Sequence, residues 1–376
     1  MKEHLEQLKS TIFSLFEYFH HNPEISWEEH QTTAYIHDFL QARGFSVQTF
    51  SDCTGVVAEI GKGERCIALR VDIDALWQEV NGTFQANHSC GHDAHMTMGI
   101  GTMLLLKKLT VLLRGRIKFI FQPAEEKGTG ALKMIKKGLL DDVDYLYGVH
   151  LRPVQELADG YAAPAIHHGA ARFIAGEIIG EDVHGARPHL GTNAIEVGAM
   201  LVNKIKGIHL DPMVPYSAKM TRFQAGGESS NIIPGSALFS IDVRAQTNEV
   251  LEQLTTKIKK ISRSLEKLYD IKIELEARSS TAAANVDQDA VKLMRKAIVQ
   301  TIGEEKLAEP IITTGGEDFH FYTLKKPNIK ATMLGLGCGL SPGLHHPNMT
   351  FNHEAMLTGI EILTKTLLNT LQERGE

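Results

Sequence analysis

The chain has 376 residues, 43% hydrophobic and 22% charged, an ordinary globular composition too long for one simple core and without a low-complexity tract that would ask for disorder. A formal charge of -6 without any basic cluster argues against a nucleic-acid surface or an anionic-membrane anchor and leaves a small molecule as the expected partner. Four cysteines without paired spacing (Cys53, Cys66, Cys90 and Cys338) suit a reducing cytoplasm, while eighteen histidines are the one unusual count.

The opening stretch "MKEHLEQLKSTIFSLFEYFHHNPEIS" mixes acids with bases and spaces its apolar residues as an amphipathic helix, not as a signal peptide. No later apolar run is long enough for a membrane span. "QTTAYIHDFLQARGF" reads as a second helix stopped at Gly44. Short apolar runs follow at "GVVAEIG", "CIALRVDIDAL" and "RIKFIFQPAEE", with the helical pattern "AHMTMGIGTMLLLKKL" between the last two. A helix "GALKMIKKGLL" then leads to the strand pattern "VDYLYGVHL". Such alternation predicts an α/β layer with a largely parallel sheet covered on both faces.

From about Ala170 the order becomes strand "ARFIAGEIIG", helix "NAIEVGAMLVNKIKGI", strands "AKMTRFQAGG" and "SALFSIDVRAQ", helix "NEVLEQLTTKIKKISRSLEKLY" and strand "IKIELEA". This βαββαβ order is the split ferredoxin-like unit, an α+β domain complete in itself. The α/β alternation then resumes with "DAVKLMRKAIVQTIG", "KATMLGLGCG" and "NHEAMLTGIEILTKTLLNTLQERG". The expected organisation is therefore a catalytic-type α/β domain from residues 1–169 and 278–376, interrupted by a smaller domain at 170–277.

Chemistry gathers where the predicted strands finish. Asp72 and Asp74 end one run, Glu125 and Glu126 another, His150 a third, and ligands of open α/β sheets sit outside the carboxyl ends of the strands. In "SCGHDAH", Cys90 and His92 are two apart, so on an extended segment preceding the helix they face one way and can reach a common ion. Asp93 falls at a helix-cap position. Following Pro123, Glu125 and Glu126 point in different directions, so one carboxylate can coordinate a metal while its neighbour exchanges a proton with bound water. "GLGCGLSPGLHHPNMTF" offers His345 or His346 as a further ligand, with a place behind the ligands or at the surface expected for His346, and "TTGGEDFHF" carries Glu317 and Asp318 on a loop that borders the crevice or is a plain turn. No G-x-S-x-G elbow supports a serine mechanism, and a Cys90 nucleophile would leave the acids and distant histidines idle. A structural zinc site is a third option, though such sites prefer four closed ligands, often several of them cysteines.

The pieces "ALRVDIDAL", "CGHDAH", "FQPAEE", "GVHL", "HGARPHLG", "NIIPG", "GGEDF" and "LHHP" resemble the M20 family of metallo-aminoacylases and peptidases, in its branch of N-acyl-amino-acid and hippurate-type amidohydrolases. The resemblance implies a three-layer αβα catalytic domain of the zinc-peptidase type with an inserted lid. It implies two divalent metal ions held by Cys90, His92, Glu126, His150 and His345, with Glu125 as general base and acid. It further implies that His184 of the lid steadies the carbonyl oxygen, from its own subunit or across a dimer, and that Asn231 and Arg244 bind substrate. Arg244 has a strand salt bridge as its alternative. Asp72, Asp74 and Asp93 are expected to hold the ligands from behind. Two departures from the family pattern stand out: Asp182 and Val183 precede His184 where glycines are more common, and Trp77 replaces a frequent proline.

The sequence thus points to a cytoplasmic metal-dependent amidohydrolase acting on a small N-acyl amino acid, with no nucleic-acid or membrane partner and with a homodimer compatible. Zinc is the expected metal, with manganese, cobalt or nickel also fitting the imidazole and carboxylate share. The alternatives are a dipeptidase or carboxypeptidase-type peptidase with the same machinery, and a non-catalytic metal-binding scaffold.

Overall fold

The structure, a computed structural model, describes residues 1–109 and 113–373. The chain forms two compact units, Met1–His167 with Asn285–Ile312 and Asp318–Glu376, and His168–Ala284 with Thr313–Glu317.

In the first unit, helices α1 (Lys2–His21) and α2 (His30–Gln41) lead into strands β1 (Ser46–Thr49), β2 (Val56–Lys62) and β3 (Cys66–Asp72). A hairpin of β4 (Leu76–Val80) and β5 (Thr83–Asn87) comes next, then α3 (His92–Leu109), β6 (Gly115–Gln122), α4 (Gly130–Lys136), β7 (Tyr145–Pro153) and β8 (Ala162–Ala163). After β9 (Ile166–His168) the chain enters the second unit, with β10 (Ala170–Ile179), β11 (Val183–His184), α5 (Ala194–Lys206), β12 (Tyr216–Ala225), β13 (Ile232–Ile233), β14 (Ala237–Ala245), α6 (Asn248–Tyr269) and β15 (Lys272–Thr281). It closes with α7 (Gln288–Ile302), β16 (Ile311–Thr313), α8 (His320–Lys325), β17 (Lys330–Leu340) and α9 (Ala355–Gln372).

The main sheet has the order β1-β2-β6-β3-β7-β17-β8. Its middle strands β6, β3, β7 and β17 are parallel, β2 and the edge strand β8 run antiparallel to them, and the other edge strand β1 pairs antiparallel with β2, so the sheet is mixed with a parallel centre. Every residue of β3 and β7 is buried, as expected of strands covered on both faces. Helix α3 packs on β3 and lies against α1 and α9, and α4 packs on α8 and β6, which completes the three-layer α/β architecture. The apolar run of α3 is buried nearly all round, and Gly101 lets α9 approach, since a Cβ there would lie 2.4 Å from Ile360 Cδ1.

The β4–β5 hairpin is an element that the strand and helix patterns of the sequence leave unassigned. Its turn is Asn81-Gly82, with φ of 51° and 83°, the left-handed pair that matches the twist of a two-residue hairpin.

The second unit has an antiparallel sheet in the order β12-β14-β10-β15, with α5 and α6 packed on it, which is the split βαββαβ arrangement. Side-chain caps start both helices: Asn193 accepts from the Ile195 N–H and Thr247 from the Val250 N–H. Strand β15 continues to Thr281, past the expected limit at 277, because its register against β10 runs on to Ala171.

Candidate active site

The site of the first unit is assembled at the carboxyl ends of β3 and β6, in the second half of β7 and at the start of α3. Asp72 is the last residue of β3 and Asp74 lies two beyond it, both fully buried. His150 sits inside β7, opposite Gly335 of β17, rather than at the strand end. His92 is the first residue of α3, so the expectation that Cys90 and His92 share an extended segment before the helix is corrected. Gly91, at φ +87°, turns the chain between them and brings both side chains to one place by a left-handed step that favours glycine. Asp93 lies within the first helical turn, not before it. Its Oδ1 accepts from the adjacent Ala94 N–H, and its Oδ2 lies 2.7 Å from His20 Nδ1.

Two overlapping groups of potential donors share the Cys90 thiol: Cys90, His92 and His150, and Cys90, Glu126 and His345. Cys90 Sγ is 3.7 Å from His150 Nε2 and 3.2 Å from His345 Nε2, and Glu126 Oε1 is 3.5 Å from His345 Nε2 and 3.8 Å from His92 Nε2. Two ligands of one tetrahedral zinc stand about 3.4 to 3.6 Å apart, so these separations bracket that of donors to a shared ion. His92 Nε2 and Glu126 Oε1 are buried and without a hydrogen-bond partner, an arrangement that is unfavourable unless something else satisfies both atoms. The donor set therefore fits divalent metal.

Tautomers agree with this assignment. His92 Nδ1 donates to the Asp74 carbonyl at 2.9 Å, with Asp74 Oδ1 at 3.2 Å, and His150 Nδ1 donates to the Leu151 carbonyl at 2.7 Å. Each ring thus turns its Nε2 towards the other donors. Against burial, Asp72 and Cys90 hold His92 well above its ordinary pKa, so a metal ion would take the place of a proton there. Burial first, then the neighbouring His95 and Arg152 side chains, hold His150 well below its ordinary pKa and keep it an electron-pair donor. Burial and then the Glu126 carboxylate push the Cys90 thiol up to about 12, so without metal it is no thiolate nucleophile.

Behind these donors lies a buried charged network. His95 accepts from the Leu151 N–H through Nε2 at 3.0 Å and donates through Nδ1 to Asp72 Oδ1 at 2.7 Å. Arg70, fully buried in β3, pairs with Asp72 and with Asp318, each at 2.7 Å, and donates to Gln122 Oε1 at 2.8 Å. The Asp318 N–H in turn donates to Glu125 Oε1 at 3.2 Å, so the "GGEDF" segment bears on the candidate base instead of being a plain turn. Sequence reasoning missed Arg70 and Gln122. A charged residue in the middle of the apolar run "CIALRVD" was the available signal, since a buried arginine requires partners.

His345 is half-exposed at φ +64°, anchored by its N–H to the Ser89 carbonyl and by Gln78 of the hairpin to its own carbonyl. His346 is exposed at the surface, with its Nδ1 accepting from the Asn348 N–H.

In the second unit His184 pairs with Ile232 on the β11–β13 ribbon and is exposed. Its Nδ1 accepts from the Ala186 N–H at 3.0 Å, which leaves Nε2 as the proton-bearing nitrogen of the neutral ring. Asn231 lies in the turn immediately before β13, exposed, its carbonyl accepting from the Gly185 N–H. Arg244 forms the strand salt bridge with Asp242, Nε to Oδ2 at 3.1 Å, and its Nη1 donates to the Thr314 carbonyl.

A mixed α/β sheet that gathers thiol, imidazole and carboxylate donors beside a second carboxylate defines a metal-dependent hydrolase. Comparison with known proteins narrows the class. Residues 68–369 match the model of peptidase family M20/M25/M40. The chain is 30% identical to an N-acetyl-L-cysteine deacetylase of Bacillus subtilis, over 99% of this chain and 91% of that one. It is 33% identical to an N-acyl-L-amino acid amidohydrolase of Geobacillus stearothermophilus, over 65% and 69% of the two chains. A solved structure described as a dinuclear metal-binding peptidase from the M20 family, of Bacillus subtilis, superposes with a TM-score of 0.83 at 25% identity, covering 98% of this chain and 99% of that chain. The chain belongs to peptidase family M20/M25/M40 and is a hydrolase of that family. Among the described residues no helix is long and apolar enough to cross a membrane.

Proposed function

We propose that the protein hydrolyses the amide bond of N-acyl amino acids, releasing a carboxylate and a free amine, with two divalent ions held by Cys90, His92, Glu126, His150 and His345. The observation that carries the proposal is the facing pair of buried, unpartnered atoms, His92 Nε2 and Glu126 Oε1, with Glu125 immediately beside them. Bound divalent ions supply Lewis acidity and bring the pKa of water towards about 7. Glu125 takes the proton of the attacking water and returns it to the leaving amine nitrogen, its carboxylate oriented by the Asp318 N–H. Asp74 and the Leu151 carbonyl hold the His92 and His150 rings in the tautomers that expose Nε2. His184 is proposed to donate from Nε2 to the developing oxyanion, within one subunit or across a homodimer. Asn231 and Arg244 are proposed to meet the substrate carboxylate, Arg244 through Nη2, since Asp242 and Thr314 engage its other nitrogens.

The mixed thiol, imidazole and carboxylate set favours zinc, with manganese, cobalt and nickel as the competing ions. A reducing cytoplasm is proposed on the strength of four free thiols. The deciding experiment combines elemental analysis of the purified protein with a panel of N-acetyl amino acids and dipeptides. About two divalent ions per chain with turnover of the N-acetyl compounds is the expected result. Turnover of dipeptides alone would make the enzyme a peptidase, and bound metal with no turnover of either class would make it a scaffold.

A further inference from the structure

Glu29 is a fully buried carboxylate that the proposed mechanism leaves unused. It sits immediately before α2, at the position where a short polar side chain ordinarily caps the helix, and it makes no such cap. That task falls to Glu24, whose two oxygens accept from the Gln31 and Thr32 N–H groups at 3.1 and 2.8 Å. Glu29 reaches away instead. Its Oε1 accepts from the Ala124 N–H at 2.8 Å and its Oε2 from the Thr54 hydroxyl at 2.6 Å.

Ala124 is an unusual residue to find held in this way. It is fully buried, and its φ of +53° is a left-handed conformation that an L-residue with a Cβ adopts only under constraint. The left-handed step falls directly before Glu125 and Glu126 and changes the direction of the chain there. Glu126 then faces His92 and His345, while Glu125 accepts from the Asp318 N–H. Further bonds pin the same turn: the Gly130 N–H donates to the Ala124 carbonyl at 3.1 Å and the Glu126 N–H to Asp74 Oδ2 at 3.0 Å. On the Ala124 N–H the acceptor is Glu29, a residue 95 positions away in sequence.

We propose that Glu29 is a positioning residue for the adjacent carboxylates, holding the Ala124 N–H so that Glu125 and Glu126 face different partners. The inference rests on the proposed roles of Glu125 as base and Glu126 as metal ligand. It requires an acceptor at position 29, not a charge. A glutamine supplies that acceptor through its amide oxygen and can meet Thr54 through its amide nitrogen.

The test compares wild type, Glu29→Gln, Glu29→Ala and the double variant Glu29→Ala/Ala124→Gly. The readouts are kcat and KM at saturating zinc on N-acetyl amino acids, the zinc dissociation constant by chelator competition, and folding by circular dichroism. Glu29→Ala should lower kcat about 10- to 100-fold with KM within about twofold, and weaken zinc binding by a similar factor, as loss of an outer support of a metal ligand does. Glu29→Gln should stay within about threefold of wild type in both readouts. Glycine takes up a positive φ without a Cβ penalty, so the double variant should recover a substantial part of the lost kcat. If Glu29→Ala does not fold, Thr54→Val, which removes the hydroxyl that orients Oε2, takes its place with a smaller expected loss of about two- to fivefold in the same readouts. Wild-type kcat and zinc affinity in the folded alanine variant, or a glutamine variant as impaired as the alanine one, would overturn the proposal. Glu125→Gln run in parallel separates the failures. Retained turnover there discards the base assignment, while the zinc-affinity series still decides Glu29 through Glu126.

Discussion

At the scale of single residues the site is a division of labour between neighbours. Glu125 and Glu126 are adjacent, yet one bears on the Asp318 N–H and the other on two imidazoles. Glu125→Gln preserves shape and acceptor capacity while removing the base, so metal content should be unchanged and kcat should fall by about two to four orders of magnitude. Elemental analysis beside steady-state kinetics checks both halves, and near wild-type turnover would remove the base assignment. Arg70 shows a different kind of dependence. Its guanidinium is buried between Asp72 and Asp318, and removal of one partner from a buried ion pair leaves uncompensated charge, a loss of about 3 to 5 kcal/mol. Arg70→Leu should lower the free energy of unfolding in urea by that order. A change under about 1 kcal/mol would mean the two carboxylates find other partners. The motif residues were legible because their types and order are specific to metal chemistry. Arg70 and Glu29 were not, because what each does depends on residues far away in sequence that the fold brings into contact: Asp318 for the one, Ala124 for the other.

At the scale of elements, periodicity located α6 and β10 because each buries one face, whereas α3 and β3, buried nearly all round, were legible as bounded apolar runs. The β4–β5 hairpin escaped because half of its residues are solvated and its pattern is weak, although the Asn81-Gly82 pair carried the turn signal. The junction before α3 was misread for a sharper reason. Spacing by two implies a shared face only on extended chain, and Gly91 replaces the extended segment with a left-handed turn into the helix. A Cβ at position 91 would lie 3.0 Å from Leu151 Cδ1, in addition to the strain at φ +87°. Gly91→Ala should therefore cost about 1 to 2 kcal/mol in stability and spread Cys90 from His92. Less than the wild-type complement of bound zinc is the expected result, and full stoichiometry at unchanged affinity would show that the turn is not what brings the two donors together.

At the scale of the whole molecule, the alternation of strands and helices revealed an interrupted α/β chain because each unit buries a core of its own. What pattern alone does not reveal is how many ionisable groups the larger core has absorbed. His88, in the segment leading to Cys90, is fully buried, and burial pulls its pKa down to about 4, against the opposing pull of Asp93 and with some reinforcement from His92. The sign of the consequence follows from proton counts. Above about pH 6.5 the ring is neutral in folded and unfolded chains alike and pH has no leverage through it. Between about 6.5 and 4 the unfolded chain binds a proton that the folded one refuses, so stability falls on acidification, and below about 4 the loss levels off. A depression from 6.5 to about 4 corresponds to roughly 3 kcal/mol. Urea unfolding of metal-free protein across this range, wild type against His88→Phe, isolates the contribution of this ring, because chelation removes the competing effect of protonating metal ligands. Wild type should lose about 3 kcal/mol more than the variant between pH 6.5 and 4. Parallel curves would mean that His88 is protonated inside the fold, with Asp93 or Asp74 as its counter-charge.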